Sequence, residues 1–319
     1  MTRFQPLALL ANPHLQTLIA SQMSLAPEPA SEQREVELPD GDRLVCHLST
    51  PAGFDPDAGT TVVLVHGLSG SHRSSYMRRL AGKLAERGVR AVRLDLRDTG
   101  AGEGLARRAY HGGCSEDVLV VARQLRAEGQ GRLVLVGFSL GGNIVLKLAG
   151  ELGSEGPRLV DHVAAICPAA DLLNCAERIR ERRNRLYEWV FVKECRALAE
   201  RRHARFPELG PVDLPAKLRL REFDDLYMAP QWGFADAFDY YRRASARPHV
   251  PNIRVRANVL LADDDPIVAP DVLDPRDLPS CVRLERSARG GHLGFLGRAP
   301  DHGVQWMDLK LFEWLGIEA

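Results

Sequence analysis

Leu133-Val134-Leu135-Val136-Gly137-Phe138-Ser139-Leu140-Gly141-Gly142 is the stretch from which the rest of the chain can be read. Four apolar residues in an unbroken run mark a strand buried on both faces. The pattern then changes to a helix over residues 143–152. Between them stands G-x-S-x-G, centred on Ser139. A strand that turns this sharply into a helix strains its central residue, so bulk on either side would clash. Ser139 is then expected to project at the carboxyl edge of a sheet, as a nucleophile does in this setting. The N–H of Leu140 is left free at the helix start, where backbone donors have no intrahelical partner. A serine that merely caps a helix after a glycine-rich turn is the plainer alternative. The strand before and the helix behind favour the nucleophile.

Further strands are expected at 44–48 (after the turn Pro39-Asp40-Gly41-Asp42), 62–65, 89–96, 163–166, 259–261 and 282–285. Helices fall between them. One covers 75–87, with Met77, Leu80, Ala81 and Leu84 on one face and Gly88 as its stop, and another covers 116–128. Val304, Met307, Leu311 and Leu315 make a last helical stripe. Alternating strands and helices predict an α/β fold, a mostly parallel central sheet flanked by helices. No buried strand is found from 171 to 255. That segment carries Arg178, Arg180, Arg182, Arg183 and Arg185 interleaved with Glu177, Glu181 and Glu188, the pattern of a solvated helix face. It also carries Tyr187, Trp189, Phe191, Phe223, Tyr227, Trp232, Tyr240 and Tyr241. We expect a core of 1–170 and 256–319, with 171–255 as a helical cap insertion.

Composition narrows the class. The 319 residues hold 42 Lys+Arg against 42 Asp+Glu, and a neutral chain is a poor candidate for nucleic-acid binding. No apolar run approaches the roughly 18 residues of a membrane span. The short run Pro6-Leu7-Ala8-Leu9-Leu10-Ala11 is a weak signal-peptide core. A soluble, cytoplasmic protein is expected. Its six cysteines include no C-x-x-C pair, which argues against a disulfide framework or a zinc site. No metal and no cofactor are implied, and the oligomeric state is not legible.

A serine hydroxyl needs a base. Among ten histidines, His292 in Gly290-Gly291-His292-Leu293-Gly294 follows the last expected strand, and in the chain order Ser…Asp…His the base comes last. His302 reads as a surface or capping residue. The acid belongs between serine and histidine, where Asp263-Asp264-Asp265-Pro266 closes a strand. In an extended chain Asp263 and Asp265 share a side and Asp264 points away. Asp171, after the preceding strand, is a further candidate.

Together, His66-Gly67, Gly137-Phe138-Ser139-Leu140-Gly141, Asp265-Pro266 and Gly291-His292 resemble the α/β-hydrolase superfamily. Asn12-Pro13-His14-Leu15-Gln16-Thr17, Tyr110-His111-Gly112-Gly113, and Gly233-Phe234 with Asp239-Tyr240-Tyr241 look like its YheT-like branch, which includes ABHD proteins. The resemblance implies a serine carboxylesterase or lipase-like activity on a small-molecule ester. It implies Ser139, Asp265 and His292 as the triad, and Leu68 with Leu140 as oxyanion donors. Arg256 and Asn258 depart from the family pattern where the acid strand begins. Short- to medium-chain acyl esters are the expected substrates. The rivals are an alcohol O-acyltransferase using the same triad and a catalytically silent binding protein on the hydrolase fold. The H-x-x-x-x-D spacing of many acyltransferases is absent at His111, where Glu116 stands five residues on.

Overall fold

A computed structural model of the chain describes residues 3–8, 10–23, 27–299 and 303–317. Its strands are β1 (Glu32–Glu37), β2 (Arg43–Ser49), β3 (Thr60–Val65), β4 (Arg90–Asp95), β5 (Arg132–Phe138), β6 (His162–Ile166), β7 (Ala257–Ala262), β8 (Val282–Ser287), β9 (Leu296–Ala299) and β10 (Gly303–Gln305). Eight of them form one sheet in the order β1-β2-β4-β3-β5-β6-β7-β8. β1, β2 and β4 pair antiparallel, and every pair from β4 to β8 is parallel. The unbroken apolar runs are the central strands, because parallel strands covered on both faces need apolar residues at every position. Val63 and Val65 of β3 enter one core, and Val62 and Leu64 enter the other.

The helices are α1 (Pro13–Gln22), α2 (Ser75–Glu86), α3 (Ser115–Ala127), α4 (Leu140–Leu152), α5 (Gly156–Leu159), α6 (Leu172–Ile179), α7 (Arg185–Arg205), α8 (Leu220–Phe223), α9 (Ala229–Trp232), α10 (Ala237–Ala244) and α11 (Trp306–Leu315). A π-helical turn, Asp224–Met228, joins α8 to α9. From α6 to α10 the chain runs between β6 and β7 without a strand. No helix among the described residues is long and apolar enough to cross a membrane.

Three details differ from the sequence expectation. β1 was not foreseen, because Val36 is its one buried residue and an edge strand shows little apolar pattern. Val304 belongs to β10, which pairs with β9, so the C-terminal helical stripe starts only at Trp306; His302 lies outside the described residues. β7 begins at Ala257 despite the unusual Asn258. Asn258 is buried, and its Oδ1 accepts a hydrogen bond from His162 Nε2 of the neighbouring strand at 2.7 Å. Burial pushes His162 down to about 4 and keeps the ring neutral.

The last helix is fastened electrostatically. Asp308 of α11 is fully buried and accepts from Arg79 at 2.7 Å and Lys83 at 2.8 Å, both of α2. Burial raises its pKa, and the two cations overcome this and hold the carboxyl below its ordinary value. A carboxylate held low contributes stability above its unfolded pKa and loses it as pH falls through the lowered one. Asp308→Asn should therefore cost about 3 kcal/mol at pH 7, the lower end for a broken buried pair. That cost should shrink towards zero as denaturant titrations move into acid. A pH-independent cost would show that the helix is not held by this charge.

Candidate active site

The turn after β5 is strained as its spacing demands. Ser139 has φ 53° and ψ −114°, a region that costs on the order of 1–3 kcal/mol for a residue with a Cβ. The chain folds back so tightly that a Cβ on Gly137 would lie 2.2 Å from the Gly141 carbonyl oxygen. One on Gly141 would lie 2.2 Å from that of Val65. Only glycine fits at either place, and the serine is thereby held out from the sheet edge.

Two loops meet it. His292 Nε2 lies 2.9 Å from Ser139 Oγ, and His292 Nδ1 lies 2.8 Å from Asp265 Oδ2. Because the carboxylate only accepts, Nδ1 carries the ring proton and Nε2 is left to accept from the serine hydroxyl. Asp265 is buried, and its Oδ1 accepts from the N–H groups of Ile267 (2.7 Å) and Val268 (2.9 Å). The carboxylate is thus fixed before it meets the imidazole.

The other acids go elsewhere. Asp263 points to the surface and pairs with Arg286, so the expectation that it shares a side with Asp265 fails. The chain has already turned there, as the Asp265 N–H to Ala262 carbonyl bond of 3.2 Å records. Asp264 does not point away: its Oδ1 accepts from the Gly291 N–H at 2.9 Å and tethers the histidine loop. Asp171 caps α6 through the Asn174 N–H and pairs with Arg247.

Leu68 and Leu140 line one cavity together with Ser139. Tyr76 and Tyr110 brace the backbone around Leu68. Tyr76 Oη accepts from the Gly67 N–H at 3.1 Å, and Tyr110 Oη accepts from the Ser69 N–H at 2.7 Å. Among the described residues neither the Leu68 nor the Leu140 N–H donates a hydrogen bond. His66 is a structural residue: burial lowers its pKa, and its ring bridges the Gly67 carbonyl and the Leu96 N–H.

Several supporting residues escaped the reading of the sequence. Thr17 Oγ1 accepts from the His292 N–H at 2.9 Å while donating to the Pro13 carbonyl at 2.8 Å. Gln16 accepts from the Leu296 N–H and donates to the Leu296 and Leu10 carbonyls. Helix α1 is therefore the support of the histidine loop. Arg178, read as part of a solvated face, instead donates to the Asp265 carbonyl at 2.7 Å, and Asn184 donates to that of Pro266 at 2.7 Å. Arg180 and Arg183 do pair at the surface, with Glu177 and Glu181. Asn143 of α4 donates to the Gly112 and Ala244 carbonyls and accepts from the Ala246 N–H.

Thr17→Val removes the acceptor of a buried N–H, a loss of about 1–3 kcal/mol. Where that loss falls on the catalytic barrier, because the imidazole is no longer held against Ser139, kcat should fall about 5- to 150-fold, at about tenfold per 1.4 kcal/mol. Thr17→Ser, which keeps the acceptor, should recover most of the rate. Equal rates for the valine and serine variants would assign Thr17 no positioning role.

Ser139 stands where two cavities meet. The inner one, of about 110 Å³, is walled by Leu172, Cys175 and Ile179 of α6, Leu220 and Phe223 of α8, and Met228. The outer one, of about 420 Å³, opens between α1 and α7 past Leu18, Tyr187 and Val190 and reaches His292. Other reactive groups near the inner cavity are silenced. Burial pushes the Cys175 and Cys114 thiols up, and it pushes His111 down to about 3. His111 Nδ1 accepts from the Gly113 N–H, and the ring packs on Trp232, Phe234 and Tyr240.

Residues 60–299 match the family described as the alpha/beta hydrolase fold, and the chain belongs to that family. Within it the chain falls in the branch of YheT and the ABHD proteins. It is 32% identical to YheT of Escherichia coli K12, which bears the name of a candidate esterase, over 98% of this chain and 92% of that one. It is 26% identical to mouse phospholipase ABHD3, over 88% of this chain and 70% of that one. Among solved structures, the Pyrococcus furiosus esterase Pf2001 shares the fold with a TM-score of 0.57 at 14% identity, covering 90% of this chain and 92% of that one. The protein is accordingly a hydrolase of the esterase and lipase type.

Proposed function

We propose that this protein is a serine hydrolase of carboxylic esters with short to medium acyl chains. The observation that carries the reading is the unbroken hydrogen-bonded series Ser139–His292–Asp265 at the junction of two cavities. Ser139 Oγ attacks the ester carbonyl as His292 Nε2 takes its proton. The imidazolium is stabilised by Asp265, which stays ionised. The Leu68 and Leu140 N–H groups hold the oxyanion, and preorganised donors of this kind are worth about 10²–10³ in rate apiece. His292 then protonates the departing alcohol, and water, activated by the same imidazole, releases the acid.

Residues 171–255 serve as the cap. The support is that α6, α7 and α8 supply most of the apolar wall of the inner cavity, where an acyl chain fits, while the alcohol leaves by the outer one. Apolar lining with few polar groups is the usual character of such clefts. A series of p-nitrophenyl esters from acetate to palmitate tests the reading: turnover should peak at short or medium chains and fall at palmitate. Product analysis with added ethanol separates hydrolysis from transfer. Free acid as the main product supports hydrolysis; mostly ethyl ester would make the protein a transferase.

A further inference from the structure

The inner cavity holds a carboxyl group that the mechanism does not use. Asp224 opens the π-helical turn after α8 and lines the cavity that contains Ser139. Irregular turns of this type are frequent at functional sites. The residue is 8% exposed. Its Oδ2 accepts from the Tyr241 hydroxyl at 2.6 Å, and its Oδ1 has no hydrogen-bond partner among the described residues. Every other buried acidic side chain among the described residues meets an arginine, lysine or histidine. Asp224 meets none. Burial pushes it up to about 7, against the Tyr241 hydrogen bond and with the help of Asp225. Near neutral pH its protonated form is therefore well populated, with an O–H to donate and an oxygen to accept.

A plain alkyl chain cannot satisfy such a group, and a buried polar atom left unpaired by the ligand weakens binding. A cationic ligand would have to shed its water in a cavity walled by Leu220, Phe223 and Met228, whereas a neutral hydroxyl meets the neutral acid without that cost. Arg202, which also lines the cavity, makes no similar demand: it donates to Asp98 at 2.8 Å and Tyr227 at 2.9 Å. We infer that Asp224 is a recognition site for a hydroxyl group on the acyl chain, so that the substrates are esters of hydroxylated acids. This rests on the reading of Ser139 as an ester-cleaving nucleophile whose acyl group enters the inner cavity. Sites built to pair a substrate hydroxyl discriminate strongly against the analogue that lacks it.

The test compares p-nitrophenyl hexanoate, octanoate and decanoate, each against its terminally hydroxylated counterpart, on the full chain. At least one hydroxylated ester should show a kcat/KM roughly tenfold or more above its alkyl parent. Asp224→Leu should abolish that ratio, and Asp224→Asn, which keeps an acceptor for Tyr241 and polar atoms for the ligand, should retain part of it. Calorimetric binding of methyl hydroxyoctanoate and methyl octanoate to Ser139→Ala reads the same preference without turnover. Esters cleaved with no preference at any length would overturn the hydroxyl site and leave the hydrolase reading standing. A binding preference that depends on Asp224 in a protein that cleaves neither ester would keep the site and remove the hydrolase. An unchanged ratio in a folded Asp224→Leu would also overturn the assignment. If that variant does not fold, the wild-type ratio and the calorimetry still decide.

Discussion

Ser139→Ala should lose essentially all esterase turnover while keeping its circular dichroism spectrum. The hydroxyl is the group aligned on His292 Nε2, and the two thiols that line the inner cavity with it, Cys175 and Cys195, are pushed up by burial and stay protonated. The remaining rate should be that of binding and the oxyanion donors alone, about 10³-fold above water by analogy with serine proteases. Because alanine fits the space of the serine, the fold should lose little. Retained turnover in a folded Ser139→Ala would move the nucleophile elsewhere.

Asp265→Asn should cost about 10⁴ in kcat, the loss that accompanies a wrongly oriented histidine tautomer in a serine protease. The Ile267 and Val268 N–H groups can still bond the asparagine oxygen, so the loop should keep its place. The amide then faces His292 Nδ1 with a donor, and the ring proton is driven to Nε2, where it opposes the serine hydroxyl. Asp171→Asn offers the sharp contrast. It breaks a surface pair with Arg247, worth about 1 kcal/mol or less, and asparagine caps a helix as well as aspartate does. Its kcat should stay within a few-fold of the native value. A large loss at 171 with near-normal turnover at 265 would reverse the assignment.

The parts of the fold that announced themselves are those where one physical demand fixes every residue. Strands β3, β5 and β6 must be apolar on both faces, and the turn at Ser139 must have glycine at 137 and 141, so spacing alone exposed them. β1 stayed hidden because an edge strand buries one residue, Val36. The acid run shows a different limit. Alternation was the right rule for an extended chain, but the turn closed between Ala262 and Asp265 redirected Asp264 onto Gly291 and left Asp263 to the surface. Thr17, Gln16 and Arg178 act across the fold, with the first lying 275 positions from the N–H it holds. No local pattern carries that kind of information. The six-residue motif from Asn12 to Thr17 marked the segment, and its job became visible only once α1 lay against the histidine loop.

Activation of Ser139 by His292 would show itself in the reaction of the serine with an electrophilic phosphonate. The native protein would be treated with a fluorophosphonate at neutral pH, followed by intact mass and peptide mapping. A single adduct on the peptide carrying Ser139 is expected, absent in Ser139→Ala and strongly slowed in His292→Ala. A native protein that stays unlabelled, or labels equally fast without His292, would contradict it.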